Sequence, residues 1–140
     1  MDNLDTEIIK FFEGFAKNPP INSVSVQQIV NALKLELPPD YLDIFSFMNG
    51  GEGFIGDRYC RLYPLDELIS LNESFSVKEF ASEIFVFGSN GGGEAFAFNT
   101  TTSPVSIVKI PFIPLDVGFA ELLGKTFREF LVSFAENGDN

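Results

Sequence analysis

Histidine and tryptophan are both missing from the 140 residues, and cysteine occurs once, at Cys60. Without histidine there can be no Ser-His or Cys-His nucleophile pair and no histidine-ligated zinc. A lone cysteine rules out an internal disulfide and fits a reducing compartment. Cations are also scarce, nine Lys and Arg against twenty Asp and Glu, for a net charge of -11. Nucleic-acid affinity draws on clustered Lys and Arg that neutralise phosphates, so that class of partner is excluded and basic partners are favoured. No apolar run approaches the roughly 20 residues of a membrane span, and a secretory leader would be basic. Here the chain opens with the acidic Met1-Asp2-Asn3-Leu4-Asp5. The expectation is a cytoplasmic protein with no membrane contact. No D-x-D-x-D calcium loop is present, so neither metal nor cofactor is implied.

What the chain has in excess is phenylalanine, seventeen residues of it, within a hydrophobic content of 45%. That suffices for one continuous core, and residues 1–140 are read as a single domain. Ile8, Phe11, Phe12 and Phe15 fall at helical spacing, with Asp2 or Asp5 available as a cap. After Lys17-Asn18-Pro19-Pro20, Ser25 and Gln28 form a capping box ahead of Val26, Ile29, Val30 and Leu33. A third helix starts at Leu37-Pro38-Pro39-Asp40, carries Tyr41, Ile44, Phe45 and Met48, and ends at Asn49-Gly50-Gly51.

The texture then turns to short strands. A hairpin is expected from residues 53–56 and 58–63 with Asp57 near its turn. Pro64 opens a short helix or turn that leads into a polar loop at 72–76. Residues 83–88, 94–99 and 105–110 read as three further strands, joined by turns at 89–93 and 100–104. An extended linker at 111–118 precedes a closing helix, where Thr126 and Glu129 form a capping box before Phe127, Phe130, Leu131 and Phe134. The order of elements predicts an α+β domain, an antiparallel-rich sheet of about five to six strands flanked by helices.

Few residues invite a chemical reading. Gly88 and Gly93 have the spacing of a phosphate-binding loop, but Glu94-Ala95 stand where Lys and Ser or Thr are needed, and a strand follows instead of a helix. The stretch is read as a turn between strands. Glu52, Asp57 and Glu94 all lie near turns, and two carboxylates could in principle act as acid and base on a glycoside, though no spacing singles out a pair. Cys60 sits in an apolar strand between Arg58 and Arg61 and reads as a small buried hydrophobe.

Three segments in fixed order carry a likeness. They are Leu37-Pro38-Pro39-Asp40-Tyr41 with Phe45 and Met48-Asn49-Gly50-Gly51, then Phe87-Gly88-Ser89-Asn90-Gly91-Gly92-Gly93-Glu94-Ala95-Phe96-Ala97-Phe98, then Phe127-Arg128-Glu129-Phe130-Leu131. Together, from about residue 24 to 134, they resemble the SUKH superfamily, the Smi/Knr-like domain. This chain departs from that pattern in lacking Trp and in having Asn99 where many members carry an acidic residue. The resemblance implies a non-enzymatic α+β domain acting chiefly as a bacterial immunity protein against polymorphic or contact-dependent toxins, many of them nucleases or deaminases. Eukaryotic relatives look like scaffolds in cell-wall and stress signalling.

Charge points the same way, because toxins that cut nucleic acid have basic clefts that an acidic protein can cover through steered association. The expected partner is a basic toxin domain bound by a monomer of this chain. The expected contacts are the carboxylates Glu52, Asp57 and Glu94, with Arg58 and Asn90 nearby. A signalling scaffold and a carboxylate-based small-molecule binder or hydrolase are the alternatives.

Overall fold

The computed structural model describes residues 5–136. Its centre is one seven-stranded antiparallel sheet whose spatial order follows the chain, β1-β2-β3-β4-β5-β6-β7. The strands are β1 Phe15–Lys17, β2 Gly51–Ile55, β3 Arg58–Leu62, β4 Ile84–Ser89, β5 Glu94–Asn99, β6 Ser106–Pro111 and β7 Glu121–Gly124. The helices are α1 Thr6–Lys10, α2 Ser23–Leu33, α3 Pro39–Asp43, α4 Leu68–Ser74, α5 Val77–Phe80 and α6 Phe127–Glu136. The domain is therefore α+β as expected, with two more strands than the five assigned above, at the two sheet edges.

The alternation of β5 builds the two layers. Phe96 and Phe98 enter one core with Phe87, Tyr41, Phe12, Phe127, Phe130 and Phe134, under α1, α3 and α6. Ala95 and Ala97 face the other way, against Val86, Val108, Ile110, Val77 and Ala81 beneath α5. Large rings on one side and methyl groups on the other let a bulky three-helix layer and a thin cover close on the same strand. Tyr41 is the hub of the aromatic side, with ring centroids 5.0–5.4 Å from Phe45, Phe87, Phe98 and Phe127.

Several expectations need correction. The first helix stops after Lys10, with Asp5 capping it through Glu7 N–H at 2.8 Å, while Asp2 lies outside the described residues. Phe15 instead begins β1, opposite Gly53. Its burial is what the apolar spacing reported, and a three-residue edge strand is too short to show its own period. In α2 the cap is Asn22, whose Oδ1 accepts from Ser25 N–H at 2.8 Å, so Ser25 lies inside the helix and the capping box with Gln28 does not form.

The polar loop expected at 72–76 is instead the end of α4 and the start of α5. Asn72 is buried there because β3 and β4 part company after Tyr63. Its amide donates to the carbonyl of Val86 at 2.9 Å and accepts from Val86 N–H at 2.7 Å, standing in for the missing strand neighbour. The linker at 111–118 is shorter than expected, since a 3-10 turn at Val117–Phe119 leads into β7, which pairs with β6. Half of the box at α6 forms, with Glu129 N–H on Thr126 Oγ1 at 3.0 Å, while the Glu129 carboxylate accepts from Lys125 N–H, one residue before the cap, at 2.8 Å. Asp40, 87 residues away, caps the same helix through Phe127 and Arg128 N–H.

Candidate partner-binding surface

The structure does not gather the five residues named from the sequence on one surface. In the β2–β3 hairpin Ile55 pairs with Arg58 across a two-residue turn of Gly56 and Asp57, where Gly56 takes φ +62°. Asp57 is thus at the tip. Pairing sets the faces, with Glu52 opposite Arg61 and Phe54 opposite Tyr59 on one side, Gly53 opposite Cys60 and Ile55 opposite Arg58 on the other. Arg58 lies on the three-helix side, its guanidinium 4.8 Å from the Phe134 ring centre.

Glu94 shares that side with Phe96, opposite the face that carries Glu52. It accepts from Asn90 Nδ2 at 2.9 Å and lies 3.9 Å from Lys109. Asn90 Oδ1 accepts from Gly92 N–H at 2.9 Å and Glu94 N–H at 3.2 Å, so this pair braces the β4–β5 turn. The turn is a side-chain-stapled connection between strands, as expected. Glu52 and Glu94 cannot converge on one substrate bond from opposite faces of a sheet. Arg58 and Lys109 line a pocket of about 300 Å³ with Phe96, Phe134, Leu122 and Glu121, where Lys109 pairs with Glu121 at 3.4 Å and with Glu94 at 3.9 Å.

The other face of the hairpin is open. Phe54 is 59% exposed, Glu52 and Arg61 are exposed, and Tyr59 and Tyr63 are half-buried. The contacts run continuously across this face. Phe54 meets Tyr59 edge to face at 5.9 Å, Arg61 lies 3.7 Å from Glu52 and 6.0 Å from the Tyr63 ring, and Tyr63 reaches Phe75 at 6.2 Å. Phe75 in turn packs on Phe112 at 5.0 Å, whose N–H bonds to Gly93 at 2.9 Å. Gly91, at φ +74°, closes the circuit, because a Cβ there would sit 2.6 Å from the Tyr59 ring. Desolvation raises the Tyr59 phenol above its ordinary value, and its hydrogen bond to Glu52 adds to that rise.

The result is an aromatic surface with carboxylates at its rim, Glu52 and Asp57 on the hairpin and Asp116 beside the 92%-exposed Ile113 at a pocket that Phe75 and Phe112 also line. Such a surface offers both apolar contact area and negative charge. Cys60 is fully buried and burial pushes its thiol well up, which removes it as a nucleophile at neutral pH. Among the described residues, no cluster of three or more potential metal-ligating side chains occurs, and no helix is long and apolar enough to cross a membrane.

Sequence reasoning missed Phe54, Tyr59, Arg61 and Tyr63. The signal was present in the alternation of the hairpin, which places aromatic rings on the side that its polar neighbours Glu52 and Arg61 mark as outward. The matching residues of the three segments, by contrast, are consumed by the fold. Asp40 caps α6, Asn49 Oδ1 accepts from Leu65 N–H at 2.9 Å, and Gly50 at φ +75° would place a Cβ 2.5 Å from the Leu62 carbonyl. No curated protein matches the chain in sequence. The family model described as SMI1 / KNR4 family (SUKH-1) matches residues 20–133, and the chain belongs to that family.

Proposed function

We propose that this SMI1 / KNR4 family member is a non-enzymatic cytoplasmic immunity protein that neutralises a cognate bacterial toxin, of nuclease or deaminase class, by covering its basic cleft. The observation that carries the reading is the uncovered aromatic face of the β2–β3 hairpin, rimmed by carboxylates on a chain of net charge -11. Exposed rings supply contact area and the carboxylates supply steering and register, a combination suited to a basic protein surface. Family membership is consistent with this role.

The test is capture on the tagged protein at low and high salt, followed by titration of the captured domain's activity. A basic domain inhibited at one-to-one stoichiometry, with salt-weakened association, supports the reading. Retention of signalling or wall-synthesis proteins alone, without inhibition of any toxin, sinks it in favour of a scaffold. Charge reversal separates the sequence-named contacts, since Glu52→Lys and Asp57→Lys should weaken binding while Glu94→Lys, on the opposite face, should not.

A further inference from the structure

Arg61 is held loosely in an unusual place. It is the cation within the aromatic circuit, 3.7 Å from a Glu52 oxygen and 6.0 Å from the Tyr63 ring centre. The first distance exceeds a good charge-assisted hydrogen bond and the second is at the outer reach of cation–π attraction. Both partners of the ion pair are about half exposed, Arg61 at 57% and Glu52 at 48%. Such a pair contributes little and exchanges readily with solvent. Beside it the Phe54 ring is 59% exposed and the Tyr59 hydroxyl bonds to the same carboxylate.

We propose that the place between Glu52 and Tyr63 is a guanidinium seat, occupied by Arg61 in the free protein and taken over by an arginine of a basic partner segment that lies across Phe54 and Tyr59. The inference rests on the reading that this face binds a basic protein. Charge selects the occupant, since a second copy of this chain would bring another -11 to the acidic rim and be repelled. Geometry selects arginine over lysine. A planar guanidinium matches a carboxylate edge and an aromatic face at once, whereas an ammonium is a strongly hydrated point charge. Displacement releases Arg61 into water and leaves the partner's cation on a more fully acidic surface.

The consequence is counter-intuitive and measurable, because removing an interface residue should tighten the complex. Labelled hexa-arginine and hexa-lysine peptides at low ionic strength serve as probes, with affinity read by fluorescence anisotropy and location by amide chemical shifts. Shifts should concentrate at residues 52–63 and 89–93, with hexa-arginine bound more tightly than hexa-lysine. Glu52→Gln should weaken hexa-arginine about fivefold and Arg61→Ala should tighten it about fivefold, the scale of one exposed pair plus one ring contact. Lys10→Ala, which removes the same charge from the exposed surface of α1, should change affinity less than twofold.

Equal tightening by Lys10→Ala and Arg61→Ala would reduce the effect to net charge and overturn the seat. Weakening by Arg61→Ala, shifts elsewhere, or equal affinity for the lysine peptide would overturn it as well. None of these failures touches the proposed function, which depends on the captured partner. A non-basic partner would remove that function and leave the seat standing on its peptide data.

Discussion

The helical end of the molecule and the β2–β3 hairpin carry opposite kinds of information. In and beside the helices several polar side chains have partners inside the chain: Asp40 holds the start of α6, Asn49 holds Leu65 and Asp66, and Asn72 holds both backbone groups of Val86. On the open face of the hairpin, aromatic and charged side chains meet solvent with only loose partners. Residues of the first kind hold elements of the fold to one another. Residues of the second kind have no such internal task, which is why the proposed partner contact is placed there.

The contrast breaks first at Asn72. Asn72→Ala leaves a buried N–H and carbonyl of Val86 without partners and should cost about 2 to 4 kcal/mol in urea unfolding. A loss below 1 kcal/mol would mean the amide is replaceable by water and the helical end less determined than described. Next in size is Asp40→Ala, which uncaps two N–H groups of α6 and should cost about 1 to 2 kcal/mol in the same assay.

Tyr41→Phe should run the other way. The Tyr41 hydroxyl is buried with no hydrogen-bond partner among the described residues, so deleting it should be neutral or stabilise by up to about 1 kcal/mol. The same variant tests the alkaline limb. Burial raises the Tyr41 phenol above its ordinary 10.0, so its contribution is complete below pH 10 and is lost as pH climbs beyond that, when the unfolded chain ionises first. Tyr41→Phe should flatten that decline above pH 10, and an unchanged pH profile would place the loss elsewhere.

The smallest effect on stability is expected at Phe54, where Phe54→Ala should change unfolding by less than about 0.5 kcal/mol and yet weaken the proposed partner complex at least about tenfold. A large stability loss would show that the open ring is part of the core. An unaltered complex would move the interface off this face.

The legible parts of the fold were those with their own period. Strands β4, β5 and β6 and helix α6 stood out because each is long enough to repeat its pattern. Strands β1 and β7, of three and four residues, are made by pairing with β2 and β6 and have no periodic pattern of their own to read. On the open face, the exposed positions of Glu52 and Asp57 are legible from charge and turn position, whereas those of Phe54 and Tyr59 are not, because phenylalanine-rich sequence reads as core. Glu94 and Asn90 read as available from their place in a turn, and in the structure their side chains are bonded to each other.

The sequence by itself determined the class of the molecule: acidic, without histidine chemistry, α+β, with aromatic residues enough for one core and motifs of one family. Composition and local period require no knowledge of neighbours, which is why these features could be read directly. Only the tertiary structure decided which face each carboxylate occupies. The pairing of β2 with β3 sends Glu52 to the open side, and the pairing of β5 with β6 sends Glu94 to the side of α6. Side-chain direction in a sheet is set by register between strands, a long-range property no short segment contains.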